Sequence, residues 1–284
     1  MVGDYHGAVS GIVAEEVLVR QLGVGDLPAC LDLAADREWP REEVKWRLLL
    51  ELGGGFGIDD PRGGLAATVF LTEVAPGIGA VGMLLVASRH GGRGLGRRLM
   101  EAALSTADCA TVFLYATEAG RPLYTKLGFR VVDEVVSHTG VFTRGAHASG
   151  LPIDETGDLS ALASLDRRAF GADRSVLLRS VLGIADRVVV AEGGYVIAWR
   201  NLGTVQAGPL VADSIGTATA LLDAVLPEGS SARVDVCGGA VAELGGWLVE
   251  RGLTARPPLP LMVLGEDLPG QRVMLRSPFA QALG

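Results

Sequence analysis

The chain has 284 residues, 49% of them hydrophobic, with a formal net charge of −8 and no basic run. That length predicts two domains, and the acidic balance argues against nucleic acid, because neutralising phosphates takes clustered Lys and Arg. No apolar run approaches the ~20 residues of a membrane helix, the first ten residues carry no signal pattern, and Cys30, Cys109 and Cys237 lie far apart without metal-ligand spacing, so a soluble cytoplasmic protein without metal or membrane partner is expected.

In chain order, Glu16 to Leu22 alternates and reads as a strand. Asp26 is placed to cap a helix whose face carries Leu27, Leu31, Ala34 and Ala35. Trp39-Pro40 breaks it, and Arg41 to Leu52 continues as a second helix. Phe56 to Ile58 reads as a short strand, Gly63-Gly64 turns into a strand from Leu65 to Val74, and Pro76-Gly77 turns into another from Ile78 to Val86. A glycine cluster follows at Gly91, Gly92, Gly94 and Gly96, before helical spacing resumes through Leu99, Met100, Ala103 and Leu104. A strand, a loop with few side chains and a helix N-terminus in that order make a phosphate site, since the free amides and the helix dipole both favour an anion. A Walker A loop is excluded because Arg97 and Arg98 follow Gly96, and the Rossmann spacing fails because Gly94 is followed three residues on by Arg97. A strand at Thr111 to Tyr115, a short helix at Gly120 to Leu127 and a strand at Phe129 to Val136 complete the unit.

Gly91-Gly92-Arg93-Gly94-Leu95-Gly96 resembles the acyl-CoA pyrophosphate loop of the GNAT acetyltransferases, usually Gln/Arg-x-x-Gly-x-Gly/Ala. The later run from Ala116 to Phe129, with Tyr124 and Leu127-Gly128-Phe129, resembles that family's strand, helix and Leu-Gly-Phe ending. Gly91 departs from the usual Gln or Arg, leaving backbone donors and Arg89, Arg93 or Arg97 to meet phosphates. The resemblance implies acetyl-CoA as cosubstrate and transfer of an acetyl group to an amine. The backbone of Leu85, Val86 and Ala87 would lie along the pantetheine arm, and Gly91, Gly92, Arg93, Gly94, Leu95, Gly96 and Arg97 around the pyrophosphate. Thr117 stands where many relatives carry a cofactor-contacting Asn. Tyr124 stands on the family's tyrosine position, where a phenol can protonate the departing thiolate.

Gly145 to Gly150 reads as a linker. Beyond it Gly157-Asp158-Leu159 echoes Gly25-Asp26-Leu27, and Arg251-Gly252-Leu253 echoes Leu127-Gly128-Phe129, an internal repeat of domain size. The second copy lacks the glycine loop and has Leu248 in place of the tyrosine. The expected fold is therefore α/β (α+β), as two tandem GNAT-like domains, each a mixed, mostly antiparallel twisted sheet flanked by helices. Residues 1–145 would bind acetyl-CoA and residues 146–284 would be degenerate; Ala169 to Arg174 also looks like the second domain of tandem members.

The general base is open. The family's Glu on the fourth strand is missing from Ala80-Val81-Gly82, leaving Glu73, Glu38 and His138, or an amine that arrives deprotonated; His90 adjoins the loop. Trp39, Trp46, Trp199 and Trp247 are candidates for an acceptor pocket or for core anchors. Asp166, Asp173 and Arg174 are candidates for a shared cleft or for a solvated helix face. A second domain over the groove favours a small-molecule amine as acceptor. The competing expectation, suggested by Gly91 and the missing Glu, is a non-catalytic acyl-CoA-binding or interaction protein.

Overall fold

A computed structural model describes residues 18–145 and 150–283; most of the linker and part of the first expected strand lie outside them. The first half runs β1 (Val19–Gln21), α1 (Leu27–Asp36), α2 (Glu43–Leu52), β2 (Gly55–Asp59), β3 (Leu65–Ala75), β4 (Ile78–Val86), α3 (Leu95–Thr106), β5 (Thr111–Tyr115), α4 (Arg121–Lys126) and β6 (Arg130–Val141). The second half repeats that order: β7 (Asp154–Glu155), α5 (Leu159–Phe170), α6 (Ser175–Leu182), β8 (Ala185–Ala191), β9 (Gly194–Asn201), β10 (Thr204–Ala212), α7 (Ile215–Val225), β11 (Ser231–Cys237), α8 (Gly246–Val249), β12 (Leu253–Ala255) and β13 (Leu259–Gly265), with a further strand β14 (Leu275–Ser277).

The local chemistry follows the sequence with one exception. Asp26 occupies the position before α1, but its carboxylate does not cap that helix. It accepts from Gly23 N at 2.9 Å and from Arg20 at 2.7 Å, tying the chain entry to β1.

The strands form one mixed, mostly antiparallel sheet in the order β1-β2-β3-β4-β5-β13-β6-β11-β10-β9-β8-β7, with β12 also on β6 and β14 on β10. The halves exchange strands. β13, from the end of the second half, lies between β5 and β6 of the first. The far part of β6 lies between β11 and β12 of the second. This is why β6 runs past Val136, where the apolar pattern suggests an end: Ser137 to Val141 pair with Ser231 to Asp235.

One face of the sheet is covered by α1, α2, α5 and α6 over a core that is continuous across both halves. Trp46 meets Phe70 edge-on at 5.7 Å, Phe113 meets Phe170 across the halves at 6.4 Å, and Trp199 stacks on Phe279 at 5.1 Å. The other face carries α3 over the first half and α7 over the second. Being covered on both sides, β3 is buried from Leu65 through Thr72 and reads as a continuous apolar run rather than an alternation.

Trp46 and Trp199 are therefore core anchors, and Trp247 packs against Phe142 and Arg251. Asp166 and Arg174 do not face a cleft. They form a fully buried ion pair at 2.6 Å, with the Tyr195 hydroxyl donating to Asp166 at 2.6 Å. Asp173 is exposed and accepts from Ser175 N at 2.9 Å at the head of α6. Removing one partner of a buried pair strands the other charge. Arg174→Met is expected to lower the unfolding free energy by about 3–5 kcal/mol and the exposed Asp173→Ala by far less, as measured by urea denaturation.

Candidate functional site

The site starts from a register defect. On β3, Phe70 opposes Gly82 but Thr68 opposes Leu85, so β4 carries one extra residue between them. Met83 takes the strained φ of +51° there, and the buried Thr68 hydroxyl donates to its carbonyl at 2.9 Å. β4 and β5 pair in parallel only from Ile78 to Val81 against Thr111 to Leu114. Beyond Val81 they part, and a cavity of about 100 Å³ lies in the gap, lined among others by Met83, Leu84, Thr117 and Tyr124.

Tyr124 enters on α4, 8% exposed, edge-on to Phe129 at 6.0 Å. Burial pushes its phenol up to about 12, so it keeps its proton at neutral pH. Thr117 accepts from Gly120 N at 3.3 Å at the head of α4 and shares the cavity wall. Trp39 and Lys45 close the helical side. Lys45 is ion-paired to Glu42, which also accepts from Asn201 of the second half at 2.6 Å.

β4 leads directly into the glycine loop. Ser88 to His90 make one 3₁₀ turn, Gly92 has φ +75°, and Gly94, at φ +77°, is the residue before α3, which has no side-chain cap. An added Cβ at Gly92 or Gly94 would touch nothing, so it is the left-handed backbone and not space that calls for glycine there. The first amides of a helix lack intrahelical partners, and those of Leu95, Gly96 and Arg97 are presented with the positive end of the dipole.

Two carboxylates far away in sequence hold this loop. Asp36 accepts from Ser88 N at 2.6 Å and its hydroxyl at 2.8 Å. Asp60, in the turn after β2, accepts from Arg62 N at 2.8 Å, from His90 Nε2 and from Arg89 Nε at 2.7 Å. The Arg62 amide first, then His90 and Arg89, hold its carboxyl well below the usual range. Arg89 and His90 are thus committed to Asp60, and Arg97 pairs with Glu101 at 2.7 Å. Of the three expected phosphate-facing arginines, Arg93 has only a long contact, 3.4 Å, to His90. Ala87, expected to offer backbone to a ligand, spends its amide on Ala66 O and its carbonyl on His90 N, each at 2.8 Å.

The structure brings Tyr124, Thr117, β4 and the loop together, but not Glu73, Glu38 or His138. Glu73 opposes Gly79, roughly 13 Å along the strand from Met83 at ~3.3 Å per residue, and caps the hairpin by accepting from Gly77 N at 2.9 Å. Glu38 is exposed at the end of α1. His138 is buried, its Nδ1 3.1 Å from Val136 O and its other nitrogen against Gly245. Among the described residues, no carboxylate or histidine lines the cavity beside Tyr124.

The second half repeats the parted strands and fills the gap. β10 pairs in parallel with β11 only at Val205 and Gln206 and shifts register between Ala207 and Leu210. β14 then lies antiparallel on Leu210 and Val211, and Pro278 O would be 2.2 Å from a Cβ on Gly208. At the head of α7, Ser214 accepts from Thr217 N at 3.0 Å. The buried Arg276 donates to Ala212 O at 3.1 Å and Asp213 O at 3.2 Å. The chain goes on to the first half, where Gln281 and Ala282 line the cavity and Ala282 presses on Gly82 so closely that a Cβ there would sit 2.7 Å from its own.

Two family models of the same description, Acetyltransferase (GNAT) domain, match this chain, one over residues 55–131 and one over residues 162–275. The chain belongs to the GNAT acetyltransferase family. It is a tandem member, with one family domain in each half. It is 26% identical over 267 residues to an uncharacterized N-acetyltransferase, YitH, of Bacillus subtilis, covering 89% of this chain and 94% of that one. A putative acetyltransferase from Pyrococcus horikoshii has a similar fold, with a TM-score of 0.82 at 20% identity over 99% of this chain and 100% of that one. So does a tandem GNAT protein from the clavulanic acid biosynthesis pathway, with a TM-score of 0.60 at 16% identity over 89% and 100%.

A GNAT chain with one open and one self-filled groove is expected to bind one acyl-CoA, read by calorimetry as a single site per chain. Asp60→Ala, which removes the carboxylate that holds Arg89 and His90 and so loosens the loop, is expected to weaken that binding about tenfold or more.

Proposed function

We propose that the first half binds acetyl-CoA and that the enzyme transfers its acetyl group to the amine of a small molecule by direct attack, with Tyr124 as general acid. The observation that carries this reading is the small cavity where the β4 bulge, Thr117 and the buried phenol of Tyr124 meet, one strand end away from the uncapped head of α3. The loop amides from Gly92 to Arg97, with the Arg93 side chain, would hold the pyrophosphate, the Gly91 amide being spent on Ser88 O at 3.3 Å, and the strand end at Leu84, Leu85 and Val86 would run beside the pantetheine arm.

In the reaction the neutral amine nitrogen attacks the thioester carbon, held in line by the cavity walls. Backbone polar groups beyond the bulge meet the oxygen that gains charge. As the carbon–sulfur bond breaks, sulfur takes the Tyr124 proton, the new amide nitrogen gives its extra proton to solvent, and the phenolate takes one back from solvent to close the cycle. A phenol raised to about 12 remains protonated throughout the working range. With no carboxylate or imidazole among the described residues of the cavity wall, this reading has the amine enter already deprotonated. Leu259, Gln281 and Ala282 wall the acceptor side, which favours small amines over folded polypeptides.

Tyr124→Phe is expected to cut kcat about 10²-fold while acetyl-CoA affinity by calorimetry changes less than about twofold. Unchanged turnover would reject the proton-donor role. Because Tyr124 is in its acid form below about 12, raising the pH leaves the acid intact and only increases the free amine. The logarithm of kcat/KM for an alkyl amine should therefore climb by about one per pH unit from about pH 6 to 9. An enzyme inflection near neutrality in that profile would point to a general base.

A further inference from the structure

Resting on the acetyl-transfer reading above, we infer that Gln281, supplied by the second half, is the residue that recognises the acceptor, its amide oxygen accepting a hydrogen bond from the N–H of a small, polar primary amine.

Hydrogen-bond direction fixes the orientation of that amide. Arg233, which can only donate, binds Asp235 through Nε at 2.9 Å to Oδ1 and Nη2 at 3.1 Å to Oδ2. Asp235, which can only accept, is buried and receives the Ser137 hydroxyl proton at 2.6 Å. A hydroxyl has a single proton. With that proton spent on Asp235, Ser137 Oγ can only accept from Gln281, whose nitrogen lies 2.8 Å away. The nitrogen of Gln281 is thereby committed to Ser137 and its oxygen is the free atom. A relay from a half-buried ion pair thus presets one acceptor atom without a charge of its own.

Gln281 and Leu259 form the wall shared by two cavities. The one beside Tyr124 is the smaller, at about 100 Å³. On the reading above, the acetyl group and the attacking nitrogen meet there. The neighbouring cavity holds about 560 Å³ and is lined by Glu118, Arg121 and Arg256 beside the rigid Pro257–Pro260 segment. An acceptor therefore straddles the wall, with its nitrogen beside Tyr124, its N–H on Gln281 and its body in the larger cavity. The mix of one carboxylate and two guanidinium groups suits a polar body that carries charge, not an apolar one.

The test is steady-state thiol release with acetyl-CoA and a broad panel of primary amines that includes spermidine, glucosamine, lysine and tyramine, the most active being used for the variants. Gln281→Leu keeps the size and removes the acceptor atom. It is expected to raise the amine KM about tenfold, with kcat and the calorimetric acetyl-CoA affinity within about twofold of the wild type. Ser137→Ala keeps the oxygen but frees the amide to turn, and a rise of about threefold is expected. An unchanged amine KM in Gln281→Leu, with the wild type active, overturns this assignment alone. A parallel loss of acetyl-CoA affinity also overturns it, by showing that the segment only supports the fold. A wild type that binds acetyl-CoA but releases no thiol with any amine overturns the acetyl-transfer reading, and this assignment with it.

Discussion

One extra residue in one strand opens the space in which everything else happens. With the bulge, Gly82 faces Phe70 and Leu85 faces Thr68, so the last turn of the pleat swings β4 away from β5. Without it the two strands would go on pairing and the cavity would close. The conformation is costly, since a methionine at φ +51° is strained by about 1–3 kcal/mol. It is held by a buried side chain, the Thr68 hydroxyl on Met83 O. Gly82 serves the same place from the other direction, because only a residue without a side chain lets Ala282 lie against β4.

The same device occurs in both halves and comes to opposite ends. Parting two strands leaves backbone groups that need partners. In the first half the parted edge is bordered by Tyr124, Thr117 and a helix head whose N-cap glycine has no side chain to offer. In the second half the chain supplies the partners itself: β14 on β10, Ser214 on the first turn of α7, and the Arg276 guanidinium on the carbonyls of Ala212 and Asp213. A cation sits on carbonyls beside α7, at the place in the repeat where the first half turns amides outward at α3. The second half thus keeps the fold while its groove is satisfied from within, and the segment that fills it is the one that continues into the first half.

Much of this was legible in the residues because it is local. Strands β4 and β5, the glycine loop and the start of α3 are written in runs of neighbouring residues, and Tyr124 is marked by its place before Leu127-Gly128-Phe129. What sequence reasoning missed depends on distant partners. Arg89 and His90 look available beside the loop, and only the fold brings up Asp60 from 29 and 30 residues earlier to hold them. Glu73 reads as a candidate base because β3 adjoins β4, yet it stands at the hairpin end. The far part of β6 carries little pattern of its own, since its partners β11 and β12 lie about a hundred residues on. The acidic residue after the β2 strand, followed by a glycine turn, was the available signal for Asp60, but nothing in its neighbours says which cation it meets.

The strand exchange also decides how an acceptor can reach the site. Two domains joined only by a linker could open like jaws, but here β13 is paired to β5 over five residues, from Leu261 on Tyr115 to Gly265 on Thr111, while β6 is paired over seven to β11. Separating the halves would break both ladders and expose the Phe113–Phe170 contact. The bond from Asn201 to Glu42 adds a polar tie on the helical side. An acceptor of the proposed site would therefore enter without the halves parting. The side chains that border the cavity come from both halves of the chain, so under the proposed function the half whose own groove is filled would still help to define what the other half acetylates.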